Sequence, residues 1–165
     1  MKLILLLLSA LSLNAQSISI DTVRAAYKDA AQDKSKVEAL YQSIAKVTKQ
    51  DHVVLVAYKG AVMALFAKQQ KTIKAKKDGF IEGVSLVEYA IEKAPNTIET
   101  RFIRLTIQEN TPKLLRYKKN IEEDKHFILT QFKNIKSSHL KNHIKDYISQ
   151  SKVFSDEEKS VILGF

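Results

Sequence analysis

An all-α fold is predicted for this chain of 165 residues by three features. Apolar residues recur at spacings of three and four almost throughout, as on one face of a helix. No alternating apolar–polar run of useful length occurs, so no sheet is expected. Only four glycines and two prolines are present, too few for a fold built on tight β-turns.

The N-terminus stands apart from that periodicity. Lys2 gives a positive start, Leu3 to Leu8 with Ala10 and Leu11 an apolar core, and Ala15-Gln16 a small-residue cleavage point. This is the pattern of a secretory signal peptide. The run Leu3 to Leu13 has eleven positions, two of them serine, whereas a membrane-spanning helix takes about 20 apolar residues. Leu13, not a small residue, stands three before the cut, which leaves the cleavage point open by a residue or two. No cysteine is present, so lipid modification of the N-terminus is excluded. The expected organisation is a signal peptide over 1–15 and a single α-helical domain over 16–165, exported to the periplasm or the extracellular space.

Each helix then follows in order. Asp21 is expected to cap the first, which carries Val23, Ala26, Tyr27 and Ala30. Ser35 and Glu38 have the spacing of a capping box, ahead of a stripe of Val37, Leu40, Tyr41, Ile44 and Val47. Asp51 is expected to cap a helix from His52 to about Gln69. That helix is apolar on nearly every side, broken only by Lys59 and Gly60, which suits the middle of a bundle. Residues 68–77 hold five lysines and read as an exposed connection or a first helical turn. Phe80 to Ala94 reads as a helix with Val84, Val87, Ala90 and Ile91 inward, stopped by Pro95-Asn96. Thr97 is expected to cap the next, which carries Ile98, Phe102, Leu105 and Ile107. Asn110-Thr111-Pro112 breaks it, with Pro112 placed at the first position of a short segment. Ile121, Ile128, Phe132 and Ile135 define another helix, whose positive end suits Glu122, Glu123 and Asp124. Leu140, Ile144, Tyr147 and Ile148 define one more. A second capping box, Ser155 and Glu158, opens a final short helix that Gly164 ends. Such helices joined by short turns are expected to stack as antiparallel hairpins, in a solenoid or a compact bundle.

Composition narrows the function classes. At 45% hydrophobic residues, the chain past residue 15 can bury a core without disulfides. The lack of cysteine excludes thiol redox work and thiolate zinc sites. The formal charge is +9, which in an intracellular protein would suggest nucleic acid. Export argues for other counter-charges: anionic lipid, polysaccharide or acidic protein. No nucleic-acid partner and no transmembrane span in the mature chain are expected.

Ala90 and Pro95, in Ala90-Ile91-Glu92-Lys93-Ala94-Pro95, resemble the end of a tetratricopeptide unit, where a small residue lets two helices approach and a proline starts the next turn. That family's Trp and L-G-x2-Y are absent here. The longer stretch Ala94 to Leu105, followed by Asn110-Thr111-Pro112 and Leu114-Leu115-Arg116-Tyr117, resembles uncharacterised exported bacterial helical proteins with a P-N-x-x-E-x-R-F-x-R core. The resemblance implies a tetratricopeptide-like α-domain and carries no assigned activity.

Four groups of residues are candidates for chemistry. Arg101 and Arg104 lie on a core-like helix, where two guanidiniums could line an anion site. They could equally pair with Glu88, Glu92 or Asp124 and fix how helices dock. His139 and His143, four apart, could offer two imidazoles to a metal, but Leu140 stands where a zinc protease needs its glutamate. Neighbouring Lys136, Lys141 and Lys145 oppose a cation, so a surface pair is the better expectation. Glu122, Glu123 and Asp124 are explained by a helix start without a catalytic carboxylate pair. Lys74, Lys76 and Lys77, with Lys68 and Lys71, could adsorb to an anionic surface. No G-x-S-x-G or glycine-rich phosphate loop occurs, and the literal S-x-x-K at Ser149–Lys152 lacks companion motifs. The reading is therefore an exported, non-catalytic helical domain that binds protein or peptide through a groove between helices, without a cofactor. The alternatives are an envelope enzyme or metal-dependent protein, and a basic domain attached to anionic lipid or polysaccharide.

Overall fold

The computed structural model describes residues 18–164. The signal peptide expected over 1–15 lies outside the described residues. Among these, the chain is all-helical, with no strand. The helices are α1 (Ile20–Gln32), α2 (Val37–Ser43), α3 (Val53–Ala67), α4 (Ile73–Lys93), α5 (Ile98–Asn110), α6 (Ile121–Gln131), α7 (Ser138–Gln150) and α8 (Asp156–Leu163). Tight 3-10 turns cover Lys34–Lys36, Lys113–Leu115 and Phe132–Asn134.

Local chemistry explains where the helices begin. The hydroxyls of Ser19, Thr72, Ser137 and Ser155 each accept a backbone N–H at the start of α1, α4, α7 and α8, filling donors that a helix leaves free. At α8 the expected capping box forms between Ser155 and Glu158. Four caps differ from expectation; at α5 Thr97 holds the capping position but its side chain accepts no backbone N–H. Ser19 caps α1, and Asp21 sits in its first turn bonded to Arg24. Asp33 accepts from the Ser35 N–H at 3.0 Å and hydroxyl at 2.7 Å, which places Ser35 inside the Lys34–Lys36 turn, and Lys36 stands before α2 without a side-chain cap. Asp51 instead closes the preceding loop by accepting from the Thr48 N–H at 2.7 Å, and His52 Nδ1 caps α3 through Val54 N–H. Helix α4 also starts earlier than its apolar stripe from Phe80 suggested, because Thr72 caps a lysine-rich first turn. Pro112 precedes the short Lys113–Leu115 turn and does not occupy its first position.

Helix α3 is the centre. Its residues Val54 to Tyr58 and Gly60 to Ala64 are all buried, and α1, α2, α4 and α5 pack around it. Its closest neighbour is α4. A Cβ on Gly60 would lie 2.3 Å from the Gly83 carbonyl oxygen, and one on Gly79 would lie 3.1 Å from Ala67 Cβ. Gly60 opposite Gly83 and Ala67 opposite Gly79 make the two helices antiparallel.

Two apolar clusters share α5. Ile103 and Ile107 join the cluster built on α1 to α4. Phe102 and Leu105 join the other, with Ile128, Phe132, Leu140, Ile144, Ile148, Phe154 and Ile162. An amphipathic helix exposes one face to water. Here both faces of α5 are covered, and its buried polar side chains find partners inside, except that Gln108 Oε1 has none among the described residues.

Candidate functional site

The partners on α5 are specific. Arg24, only 6% exposed, forms a two-pronged pair with Glu99 at 2.7 and 2.9 Å. The Tyr58 hydroxyl donates to the same carboxylate at 2.9 Å. This buried node ties α1, α3 and α5 together. Burial alone would lower the Arg24 pKa, but its bonds to Glu99 outweigh that and raise it. Sequence reasoning did not single out Arg24. Its signal was a charge set within the apolar stripe of Val23 and Tyr27.

Arg101 and Arg104 occupy a second node. Arg104 Nε and Nη2 each bond Asp124 at 2.6 Å, and Nη1 reaches Glu88 at 3.0 Å. Arg101 bonds Glu123 at 2.6 Å, Asp124 at 3.1 Å and the Pro95 carbonyl at 2.8 Å. Its guanidinium also stacks 4.6 Å from the Phe127 ring. The Tyr117 hydroxyl completes the node by donating to Glu88 at 2.6 Å. Of the acids weighed for these arginines, Glu88 and Asp124 are used and Glu92 is not. Their donors are turned inward, and they lock α4, α5 and α6 together. At the acidic start of α6, Glu123 and Asp124 serve this node, whereas Glu122 pairs with Lys125 at 2.8 Å.

Lys74, Lys76 and Lys77 are exposed in the first turns of α4. Lys74 pairs with Asp78 at 2.5 Å, with its side chain 88% exposed. His139 is exposed, whereas His143 packs edge-on against Phe102 at 5.3 Å. Among the described residues, no group of three or more His, Cys, Asp or Glu is arranged to hold a metal ion.

A deep recess lies elsewhere. It is an open groove of about 650 Å³ between α1, α3, α5 and α7, with Phe80 of α4 at its base. Ala31, Ala64, Leu65, Ile107 and Val153 supply its apolar wall. Tyr27, Thr106, His143 and Tyr147 supply its polar depth. One end is built by Glu109, which accepts from the Tyr147 hydroxyl at 2.7 Å, Ser151 Oγ at 2.8 Å and Lys152 N–H at 2.7 Å. Those three bonds commit most of the carboxylate's acceptor capacity to structure. Burial pushes the Tyr27 phenol up to about 12 and, with Glu109, pushes the Tyr147 phenol higher still, so both stay protonated.

The rim is different. Lys28 pairs with Asp146 at 2.5 Å, but Lys68 and Lys152 have no acidic partner among the described residues. Lys68 is accessible to water yet crowded, and desolvation lowers its ammonium pKa. The Gln32 amide is exposed beside them, and Asn110 and Gln150 use only their NH2 groups internally. The groove thus offers apolar contact along its wall and free amide and ammonium groups along its edge. That combination can hold an extended chain.

His143 makes this region sensitive to acid. Desolvation, reinforced by Arg24 and Lys28, holds its pKa down at about 4 against an ordinary 6.5. The folded state therefore favours the neutral ring. The stability that this contributes is complete above about pH 6.5 and drains away as pH falls through about 4. Between pH 7 and 4.5 the wild type should lose about 2 kcal/mol more than His143→Leu, measured by urea unfolding. Parallel curves would show the imidazole to be freely protonated in the fold.

Among the described residues, no helix is long and apolar enough to cross a membrane. In comparisons with known proteins, no family model, no curated protein and no solved structure matches the chain.

Proposed function

We propose that this chain is an exported, non-catalytic helical domain that binds an extended peptide or protein segment in the groove between α1, α3, α5 and α7. One observation carries the reading. Lys68, Lys152, Gln32 and the amide oxygens of Asn110 and Gln150, left without partners among the described residues, line this groove, whereas Arg24, Arg101 and Arg104 sit in internal nodes. Side-chain amides match the donor and acceptor pattern of a peptide backbone. The volume of about 650 Å³ falls within the roughly 300–1,000 Å³ of ordinary ligand sites. Antiparallel α3 and α4 support an arrangement of helical hairpins, and two apolar clusters sharing α5 favour a compact bundle over an open solenoid. The export step rests on Met1 to Ala15.

Ala31 provides the test, because it is exposed and lines the groove. Ala31→Trp fills the recess without entering the core. Peptides selected on the purified protein from a randomised displayed library should lose about tenfold or more in affinity for Ala31→Trp. They should bind Lys76→Glu as they bind the wild type. Selected peptides indifferent to Ala31→Trp, or no selectable peptide at all, would remove the proposal.

A further inference from the structure

We propose that the end of the bundle made by residues 68–77 and 111–120 docks onto an anionic lipid bilayer. The two segments are remote in sequence. The fold brings them together: α3 finishes, α4 starts and α5 finishes at this end, so Lys68, Phe80 and Thr111 border one groove. Phe80 meets the Tyr117 ring edge-on at 5.8 Å, which seats the second segment against α4.

Charge is the first ground. Residues 68–77 contain five lysines, residues 111–120 contain Lys113, Arg116, Lys118 and Lys119, and neither segment has an Asp or Glu. Lys118 is spent on the carbonyls of Gln108 and Glu109 at 2.9 Å. Lys74 has its exposed pairing with Asp78, and exposed pairs are weak. Lys71, Lys76, Lys77, Lys113, Arg116 and Lys119 are exposed and have no ion-pair partner among the described residues. Several of them also crowd the positive end of α4, where cations are unfavourable. An anionic surface relieves that repulsion.

Exposed aliphatic side chains are the second ground, and they select lipid among anionic partners. The two most exposed large hydrophobic residues on the described chain are Leu114 at 90% and Ile73 at 87%. One lies in each basic segment. A single exposed leucine or isoleucine is ordinary. Here both mark one basic end of the molecule. A bilayer takes the ammonium groups at its phosphates and the aliphatic tips at the boundary with its acyl chains. A soluble acidic polymer has use for the charges alone.

The test is co-sedimentation with phosphatidylglycerol–phosphatidylcholine vesicles, against vesicles of phosphatidylcholine alone. The wild type should bind the first strongly, the second weakly, and the first less as salt rises. Each of Lys76→Glu and Lys77→Glu should weaken binding about fivefold or more. Ile73→Ser and Leu114→Ser change no charge and leave the core intact. Each should weaken binding about tenfold, with helical circular dichroism unaltered. Ala31→Trp should bind vesicles as the wild type does, which separates this surface from the peptide groove. Equal binding to both vesicle types would overturn the proposal. So would serine variants as tight as the wild type, an outcome that assigns the basic end to an acidic polymer.

Discussion

Gly60→Ala should lower the unfolding free energy by about 3 kcal/mol or more, although alanine is the better helix former by about 1 kcal/mol. The added Cβ would stand 2.3 Å from the Gly83 carbonyl oxygen and 2.9 Å from Val87 Cγ2. The first obstacle is backbone, so no rotamer change relieves it. Helices α3 and α4 would have to move apart, opening the contact around the buried centre of the molecule. Gly83→Ala meets the same obstacle from the other side, with Gly60 O at 2.5 Å and Ala64 N at 2.9 Å. Gly79→Ala is the control on the same helix. Its nearest contact is the Ala67 Cβ at 3.1 Å, a small repulsion that the gain in helix propensity offsets. Urea midpoints at constant slope give the comparison. Equal midpoints for Gly60→Ala and Gly79→Ala would mean that α3 and α4 do not touch backbone to backbone.

That contact also illustrates what a sequence discloses. The apolar run around Gly60 marked α3 as central because a helix without a polar face has nowhere else to go. Ser155 and Glu158 were legible because a capping box closes within one turn. Where two caps compete within a few residues, pattern alone does not choose. Asp33 caps the turn that takes in Ser35, so no box forms with Glu38, and His52 supplants Asp51 at α3. Arg104 was legible as a pairing residue, and two of its three expected acids are its partners. The Arg24–Glu99 pair was not, since the two residues are 75 apart in the chain. The groove draws on α1, α3, α5 and α7 at once, and no local periodicity encodes their convergence. The lysines at 68–77 were plain. Their meeting with Lys113 to Lys119 was not, because it depends on Phe80 finding Tyr117.

The Arg104–Asp124 node carries the second large effect. Asp124 has no exposed surface, and its two oxygens take Arg104 Nε and Nη2 at 2.6 Å. Desolvation pulls the Arg104 pKa down, yet its bonds to Asp124 carry it above the ordinary value. Burial lifts the Asp124 pKa in spite of those same bonds. Both shifts point to one balance: the attraction is strong, and desolvation consumes much of it. Asp124→Asn should therefore cost about 3–5 kcal/mol, because it leaves a buried guanidinium with only Glu88 at 3.0 Å on Nη1 and Glu123 at 3.7 Å from Nη2. Glu122→Gln, whose exposed carboxylate pairs with Lys125, should cost less than about 1 kcal/mol. The double variant Arg104→Met/Asp124→Leu should recover most of the stability lost in Asp124→Asn, since an apolar pair of similar bulk avoids the desolvation penalty. Double-mutant analysis of the urea midpoints isolates that coupling. If the double variant is as unstable as Asp124→Asn, the node contributes net attraction beyond its desolvation. If Asp124→Asn is as stable as the wild type, Arg104 is not enclosed with it, and α5 must lie open to water where α6 covers it.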